Sequence, residues 1–310
     1  MAKPRLFIFG FGYTAGRLAR RLVERGWAVA GTRRPGHVAA DEVAGVRLFA
    51  FDRATGLCDA AREALAAASH VLVTIPPDEE GDPAAALLAA EPALVANDLH
   101  FLGYLSTTGV YGDAGGGWVR ESSPPRPGSA RARRRLAAER QWQELATRHD
   151  WPLMIFRLPG IYGPGRSPFE RLLAGTAQRI DAGAEHVFSR IHVDDIARAL
   201  IAAMADPEPG AVFNLADDEP AASHEVVAHA ARLLGIAPPP LVPLHQAELP
   251  EMARSFYAEC RRVDAGAIKA RYGLSWRYPS YREGLRAILA ESGFASDAPC
   301  APSGPRSAGA

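Results

Sequence analysis

The stretch Arg5-Leu6-Phe7-Ile8-Phe9-Gly10-Phe11-Gly12-Tyr13-Thr14-Ala15-Gly16-Arg17-Leu18-Ala19 decides the fold. An apolar run of strand length meets a glycine-rich turn, and a helical pattern follows at once. The turn reads G-x-G-x-x-A, a dinucleotide-binding signature. Gly10 permits the tight turn. Gly12 has no side chain, so the backbone can approach a pyrophosphate. Ala15 is small enough for the helix to pack closely on the strand. Phe11, Tyr13 and Thr14 complete the cofactor-facing loop, and the helix N-terminus offers free N–H groups to phosphate. A triphosphate loop would need G-x-x-x-x-G-K-[ST]. Here Arg17 and Leu18 follow Gly16, which excludes it.

The context outside the turn agrees. A helix is expected over about 14–25, with Leu18, Leu22 and Val23 on one face. Gly26 closes it, and 27–32 reads as a second strand. This is one β-α-β unit of about 30 residues. Further strands are expected at 46–52, 70–75, 101–107 and 153–158, and a late one at 211–215. Helices are expected at about 59–68, 83–98, 130–148, 193–205 and 223–234, the last capped by Ser223. Strands alternating with helices imply a parallel sheet covered on both faces.

Composition bounds the rest. The chain has 310 residues, zero formal net charge, 48% hydrophobic and 23% charged residues, as in an ordinary globular protein. Nothing in the charge balance points to nucleic acid or an anionic membrane. Cys58, Cys260 and Cys300 are far apart, so neither a disulfide framework nor a zinc site is expected, and a cytoplasmic location fits best. No signal-peptide pattern or long apolar stretch is present. No clustered metal-ligand spacing and no G-x-S-x-G elbow occurs, which disfavours metal chemistry and an esterase-like hydrolase. From about Ser292 the Ser/Ala/Pro/Gly composition reads as a disordered tail, 292–310.

Leu105-Ser106-Thr107-Thr108-Gly109-Val110-Tyr111-Gly112 resembles the "SSxxVYG" segment of the extended short-chain dehydrogenase/reductases, the NAD-dependent epimerase/dehydratase family. Arg157-Leu158-Pro159-Gly160-Ile161-Tyr162-Gly163-Pro164-Gly165 resembles their "LRxxxxYGPG", and Arg190–Ala197 their "xIHVDDxA". Val212–Leu215 resembles "xYNxG". The pattern around Tyr272–Leu274 and Tyr278–Leu285 resembles their C-terminal helix signature. Five matches in order cover about residues 5–290. The resemblance implies an α/β fold: a Rossmann-type doubly wound parallel sheet with a smaller C-terminal substrate-binding subdomain. The cofactor domain would be 1–165 plus 187–216, and the substrate subdomain 166–186 plus 217–290. The helix pair near 83–98 and 130–148 resembles the one that family members use to form a homodimer.

One departure bears on function. Family members carry Tyr-x-x-x-Lys on the active-site helix, usually within "YxxSKLAAE". This chain reads Arg131-Ala132-Arg133-Arg134-Arg135-Leu136-Ala137-Ala138-Glu139. Aligned on Leu-Ala-Ala-Glu, Arg131 stands at the tyrosine and Arg135 at the lysine, as in an atypical subgroup without the pair. The two arginines, four apart, share one helix face. Arg135 could bond the ribose hydroxyls but cannot be a general acid. The other reading is a solvated basic helix. Thr107 matches the family's substrate-orienting hydroxyl, which donates to a substrate oxygen as charge develops. Tyr111, Tyr162, Asp113 and His192 are replacement proton donors, with Tyr111 first and His192 more naturally a packed histidine. Arg166 is either an anion contact or a surface charge.

The residue ending the second strand sets cofactor choice: an acid bonds the 2′-hydroxyl of NAD, and arginine accommodates the 2′-phosphate of NADP. Thr32-Arg33-Arg34 contains no acid, so NADP is expected over NAD. By resemblance, Asp52 would meet the adenine, while Pro76 and Pro159 would line the nicotinamide side. Two functions follow. One is an NAD(P)-dependent oxidoreductase or epimerase/dehydratase-like protein with a non-canonical active site and a small polar substrate of the nucleotide-sugar kind. The other is an inactive NADP(H)-binding sensor or assembly module.

Overall fold

A computed structural model describes residues 3–37, 44–183, 185–250, 254 and 256–292. The expected tail lies outside this set from residue 293 onward, as does Cys300.

Seven parallel strands form the central sheet. In chain order they are β1 (Arg5–Phe9), β2 (Ala28–Arg33), β3 (Val46–Ala50), β4 (His70–Val73), β5 (Phe101–Thr107), β7 (Leu153–Leu158) and β11 (Val212–Asn214). Their spatial order is β3-β2-β1-β4-β5-β7-β11. The chain winds outward from β1 to β3, then crosses back to β4 on the other side. The order therefore reverses between β1 and β4, and ligands bind beyond the strand C-termini at such a point.

The strands alternate because side chains of a strand point to opposite faces. Leu6, Ile8 and Leu72 enter one core with Leu18 and Leu22 of α1 (Tyr13–Glu24) and Ile196 and Leu200 of α6 (Val193–Ala205). Phe7, Phe9, Val71 and Val73 enter the other. There they meet α2 (Asp59–Ala66), α3 (Pro83–Ala90) and α4 (Ala130–His149), whose Trp142 is wholly buried. Burying an aromatic or aliphatic side chain of this size contributes about 1.5–3 kcal/mol, so these two layers supply the main folding force.

A third core lies apart from the sheet. It joins Tyr162, Phe169 and Leu172 to Val226, Ala230, Tyr281 and Leu285. Their elements are β8 (Gly160–Tyr162), α5 (Pro168–Leu173), α7 (Ser223–Leu233) and a C-terminal helix, Tyr281–Ser292. Three short parallel pairs belong to this irregular half. Residues Trp118–Val119 (β6) pair with Arg262–Val263 (β13), and β8 pairs with β10 (Arg190–His192). Arg179–Asp181 (β9) pairs with Leu241–Pro243 (β12). The helix Gly266–Tyr272 is α8 and the C-terminal helix is α9.

Three local expectations need correction. The helix expected over 83–98 stops at Ala90, because Pro92 has no N–H and starts a separate 3-10 turn over Pro92–Leu94. Its start is well specified: buried Asp82 accepts from the N–H groups of Ala84 and Ala85. Ser223 is the first helical residue of α7, not its cap; Ala222 holds the cap position without a side-chain bond. Ser292, taken as the start of the tail, is the last residue of α9.

Candidate functional site

The glycine turn is held from both neighbouring strands. Thr32 Oγ1 accepts from Gly10 N at 3.1 Å, and Thr32 O accepts from Phe11 N at 2.6 Å. From the other side, Thr74 Oγ1 donates to Gly10 O. Gly10 sits at φ +91°, and a methyl there would run into Thr74 and Ile75. The turn thus needs glycine on two independent grounds, conformation and space. Thr32 and Thr74 are supports that sequence reading missed; a hydroxyl residue at the end of each flanking strand was the available signal.

Gly12 differs. Its φ is an ordinary −106°, and a methyl there would meet nothing within 4 Å. Gly12 caps α1 without a side-chain hydrogen bond, and no acid stands in the first turn. Uncapped N–H groups and the positive end of the helix dipole therefore face open space. Ala15 is wholly buried, as close helix–strand packing requires. These features fit a dinucleotide pyrophosphate.

Other loop residues lock the turn in place. Tyr13 donates to Pro164 O at 3.0 Å, and burial pushes its phenol up to about 12. The Arg166 guanidinium lies 5.7 Å from the Tyr13 ring centre. Arg17 grips Asp194 with two bonds of 3.0 and 2.9 Å, tying α1 to α6. Thr14 is buried at the helix start.

At the end of β2, the two arginines part company. Arg33 Nε donates to Phe11 O at 2.9 Å, and its guanidinium lies over the Phe11 ring. Arg34 is exposed. Asp52 accepts from both the N–H and hydroxyl of Thr55, and these bonds hold its carboxyl below the usual range. Pro76 is exposed beyond β4, and Pro159 is half-buried beyond β7.

The chemistry side is built around α4. Glu139 is buried there and forms a two-pronged ion pair with Arg157 of β7, at 3.1 and 2.7 Å. Their side chains are 2% and 7% exposed. Ser106 of β5 donates to the same carboxylate. Arg157 also donates to Tyr111 Oη at 3.0 Å, and Tyr111 donates to Asn214 Oδ1 at 2.7 Å. The network binds β5, α4, β7 and β11 together at the level of the site.

Tyr111, ranked first among the replacement donors, belongs to this network. The residue is 3% exposed, and its hydroxyl donates to Asn214 and accepts from Arg157. Burial pushes its pKa up, against the pull of Arg157. Two other replacement donors are also committed elsewhere. Asp113 accepts from Gly115 N and Cys260 N. His192 is 1% exposed, its Nδ1 accepts from Asp194 N, and burial pulls its pKa down to about 4. Tyr162 is buried and donates to Ser280 O.

Arg131 and Arg135 separate in the structure. Arg135 is half-buried and its Nη1 donates to Ile75 O, Tyr104 Oη and Leu105 O at 3.2, 3.0 and 3.0 Å. It ties the ends of β4 and β5 to α4. Arg131 is exposed, one turn nearer the start of α4. A tyrosine–cation pair does exist, Tyr104 with Arg135, but Tyr104 has no exposed surface. Thr107 is half-buried at the end of β5, and its Oγ1 accepts from Gly109 N at 3.1 Å.

Among the described residues, no group of three or more His, Cys, Asp or Glu side chains could hold a metal. No helix there is long and apolar enough to cross a membrane.

A parallel sheet with reversed strand order, a G-x-G-x-x-A turn at the reversal and an uncapped helix define a dinucleotide-binding α/β protein. The model of the NAD dependent epimerase/dehydratase family matches residues 7–216, and the chain belongs to this family. It is 30% identical over 245 residues to Protein YeeZ of Escherichia coli strain K12, across 76% of this chain and 85% of that one. It is also 33% identical over 171 residues to a 3-diazoavenalumate denitrifying reductase of a Streptomyces species, spanning 52% of this chain and 54% of the reductase. A solved structure of a functionally unknown conserved protein from Silicibacter pomeroyi DSS is 44% identical, with a TM-score of 0.85. That match covers 93% of this chain and 99% of the other.

Proposed function

We propose that this protein binds NADP(H) in preference to NAD(H) and is an oxidoreductase or epimerase-like enzyme for a small polar substrate. The observation that carries the cofactor reading is the open space over Gly12 at the uncapped start of α1. The preference for NADP rests on the absence of an acid after β2 and on exposed Arg34, whose guanidinium suits a 2′-phosphate. Arg33 would serve by shaping the turn rather than by reaching the phosphate.

A bound NADPH would supply a hydride to a carbonyl carbon. Thr107 would donate a hydrogen bond to the carbonyl oxygen as negative charge develops there. The proton that completes the alcohol would come from solvent or from substrate, since Tyr111 is sealed inside. The reductase similar to part of this chain supports a reductive reaction.

A second reading is favoured by one specific observation. Tyr111 and Arg135 spend their polar groups on internal bonds, which suits a cofactor-binding sensor without turnover.

Titration of the purified protein with NADPH and NADH, followed by nicotinamide fluorescence, tests the cofactor reading. At least tenfold tighter NADPH binding is expected. Equal affinities would remove the Arg34 argument, and binding of neither would remove the cofactor reading. A carbonyl panel with NADPH oxidation as readout then separates the enzyme from the sensor.

A further inference from the structure

A cavity of about 310 Å³ lies in the irregular half, where β9, α7 and the start of α9 meet. Three arginines line it: Arg179 from β9, Arg232 from the last turn of α7 and Arg282 from the first turn of α9. His224 and Glu225 stand at the other end of α7, and Ala228 and Tyr281 complete the lining. Glu225 and Arg232 are exposed, so the cavity is reached from solvent. Its size is at the lower end for small-molecule sites. None of its residues belongs to β1, α1 or β2, which sets it apart from the glycine turn.

The three guanidinium groups are held differently. Arg282 grips Glu219, with Nε and Nη2 at 3.1 and 2.8 Å from Oε1, and lies 4.7 Å over the Tyr281 ring. Arg179 Nη1 donates to Pro239 O at 3.1 Å. Arg232 Nε reaches Ala228 O on its own helix at 3.4 Å. Arg282 thus has an ion-pair partner, whereas Arg179 and Arg232 make no ion pair among the described residues. Buried His229, edge-on to Tyr281, feels the cluster: burial first, then Arg282, Arg232 and Arg286, pull its pKa down.

Two uncompensated cations on one cavity wall repel each other, and a bound anion relieves that repulsion. Guanidinium groups suit the oxygens of a phosphate, whose nearly double charge two of them can share. A bare anion would leave Glu225 facing like charge. A ligand that also carries hydroxyls gives Glu225 donors to accept from. Ala228 and Tyr281 offer apolar surface to a short carbon frame.

We propose that this cavity binds a phosphorylated polyol, such as a sugar phosphate, with Arg179 and Arg232 on the phosphate and Glu225 on the hydroxyls. Arg282, locked to Glu219, holds the Tyr281 side of the cavity in place. The proposal goes beyond the cofactor reading and does not rest on it.

The test is isothermal titration calorimetry on the full chain in about 0.15 M salt, where exposed charges are screened beyond about 8 Å. The probes are glucose 6-phosphate, inorganic phosphate and glucose. Glucose 6-phosphate is expected to bind at least tenfold more tightly than either of the others. Arg179→Gln and Arg232→Gln should each weaken it at least tenfold, and Glu225→Ala should bring it close to inorganic phosphate. Thermal melting confirms that each variant is folded, and exposed Arg232 decides if the Arg179 variant is not. No binding of glucose 6-phosphate, equal binding of inorganic phosphate or glucose, or undiminished binding to a folded arginine variant would each overturn the proposal. Displacement of glucose 6-phosphate by NADPH would place the anion at the glycine turn and overturn it too. The arginine variants should bind NADPH as the native protein does, so this proposal and the cofactor reading fail separately.

Discussion

The glycine turn and helix α4 face each other across the same end of the sheet, and they manage polar groups in opposite ways. At the turn, protein bonds fix the backbone of Gly10 but leave the N-terminus of α1 uncapped and open. At α4, Glu139 and Arg135 are spent on neighbouring strands. Unsatisfied donors pointing at space are the mark of a ligand site, whereas saturated ones are the mark of a structural brace. The cofactor end is thus built to receive something, and the helix that carries the catalytic pair in relatives is built to hold strands together.

The comparison breaks most readily at the brace. Glu139→Ala would leave the Arg157 guanidinium buried without its partner, which costs about 3–5 kcal/mol. Urea unfolding should show that loss, while NADPH affinity measured well below the melting point stays within about twofold. A loss of affinity with unchanged stability would mean that Glu139 belongs to the ligand site.

A second brace responds to pH. His192 is buried with its pKa pulled down from 6.5 to about 4. Between those values the unfolded chain binds the proton and the native chain does not, so stability is complete above pH 6.5 and falls as pH drops toward 4. The full window corresponds to about 3 kcal/mol, at 1.36 kcal/mol per pKa unit. Replacing His192 with Asn should flatten this part of the stability profile. An unchanged acid limb would assign the proton uptake to other groups; His70, also pulled down to about 4, is the first to examine.

The turn is tested at Gly12. A methyl there meets no protein atom, so Gly12→Ala should cost less than about 1 kcal/mol of stability. It should still weaken NADPH binding at least tenfold, about 1.4 kcal/mol, because the methyl occupies the approach of the pyrophosphate. Unchanged affinity would show that the space over Gly12 is not where the cofactor lies.

Legibility in the sequence follows the same division. The central sheet was readable because its strands are apolar runs and its helices keep one face, so the pattern places β1 to β5, β7 and α1. The glycine turn was readable because its chemistry is local, within six residues. The irregular half was not. Strands such as β8, β9 and β13 are two or three residues long, too short for any period to show. Tyr111 shows the same limit: a tyrosine beside the site carries no sign that Asn214, 103 residues later, will accept its hydrogen bond. The cavity beside α7 likewise has no local signature; Arg179, Arg232 and Arg282 meet there only after folding.

The finest test asks which arginine after β2 reads the cofactor. Arg33 is folded back on Phe11, so its removal should loosen the turn and weaken NADPH and NADH alike. Arg34 is exposed and free to move toward a 2′-phosphate. Its removal should weaken NADPH alone, by roughly threefold to tenfold, and leave NADH unchanged. The effect is small because an exposed charge contact contributes about 1 kcal/mol and is screened by salt. That screening gives a second readout: the NADPH preference of the native protein should shrink as ionic strength rises, and the Arg34→Ala protein should show no such dependence. Should Arg33→Ala abolish the preference while Arg34→Ala keeps it, the assignment is reversed, and Arg33 must leave Phe11 when the cofactor arrives.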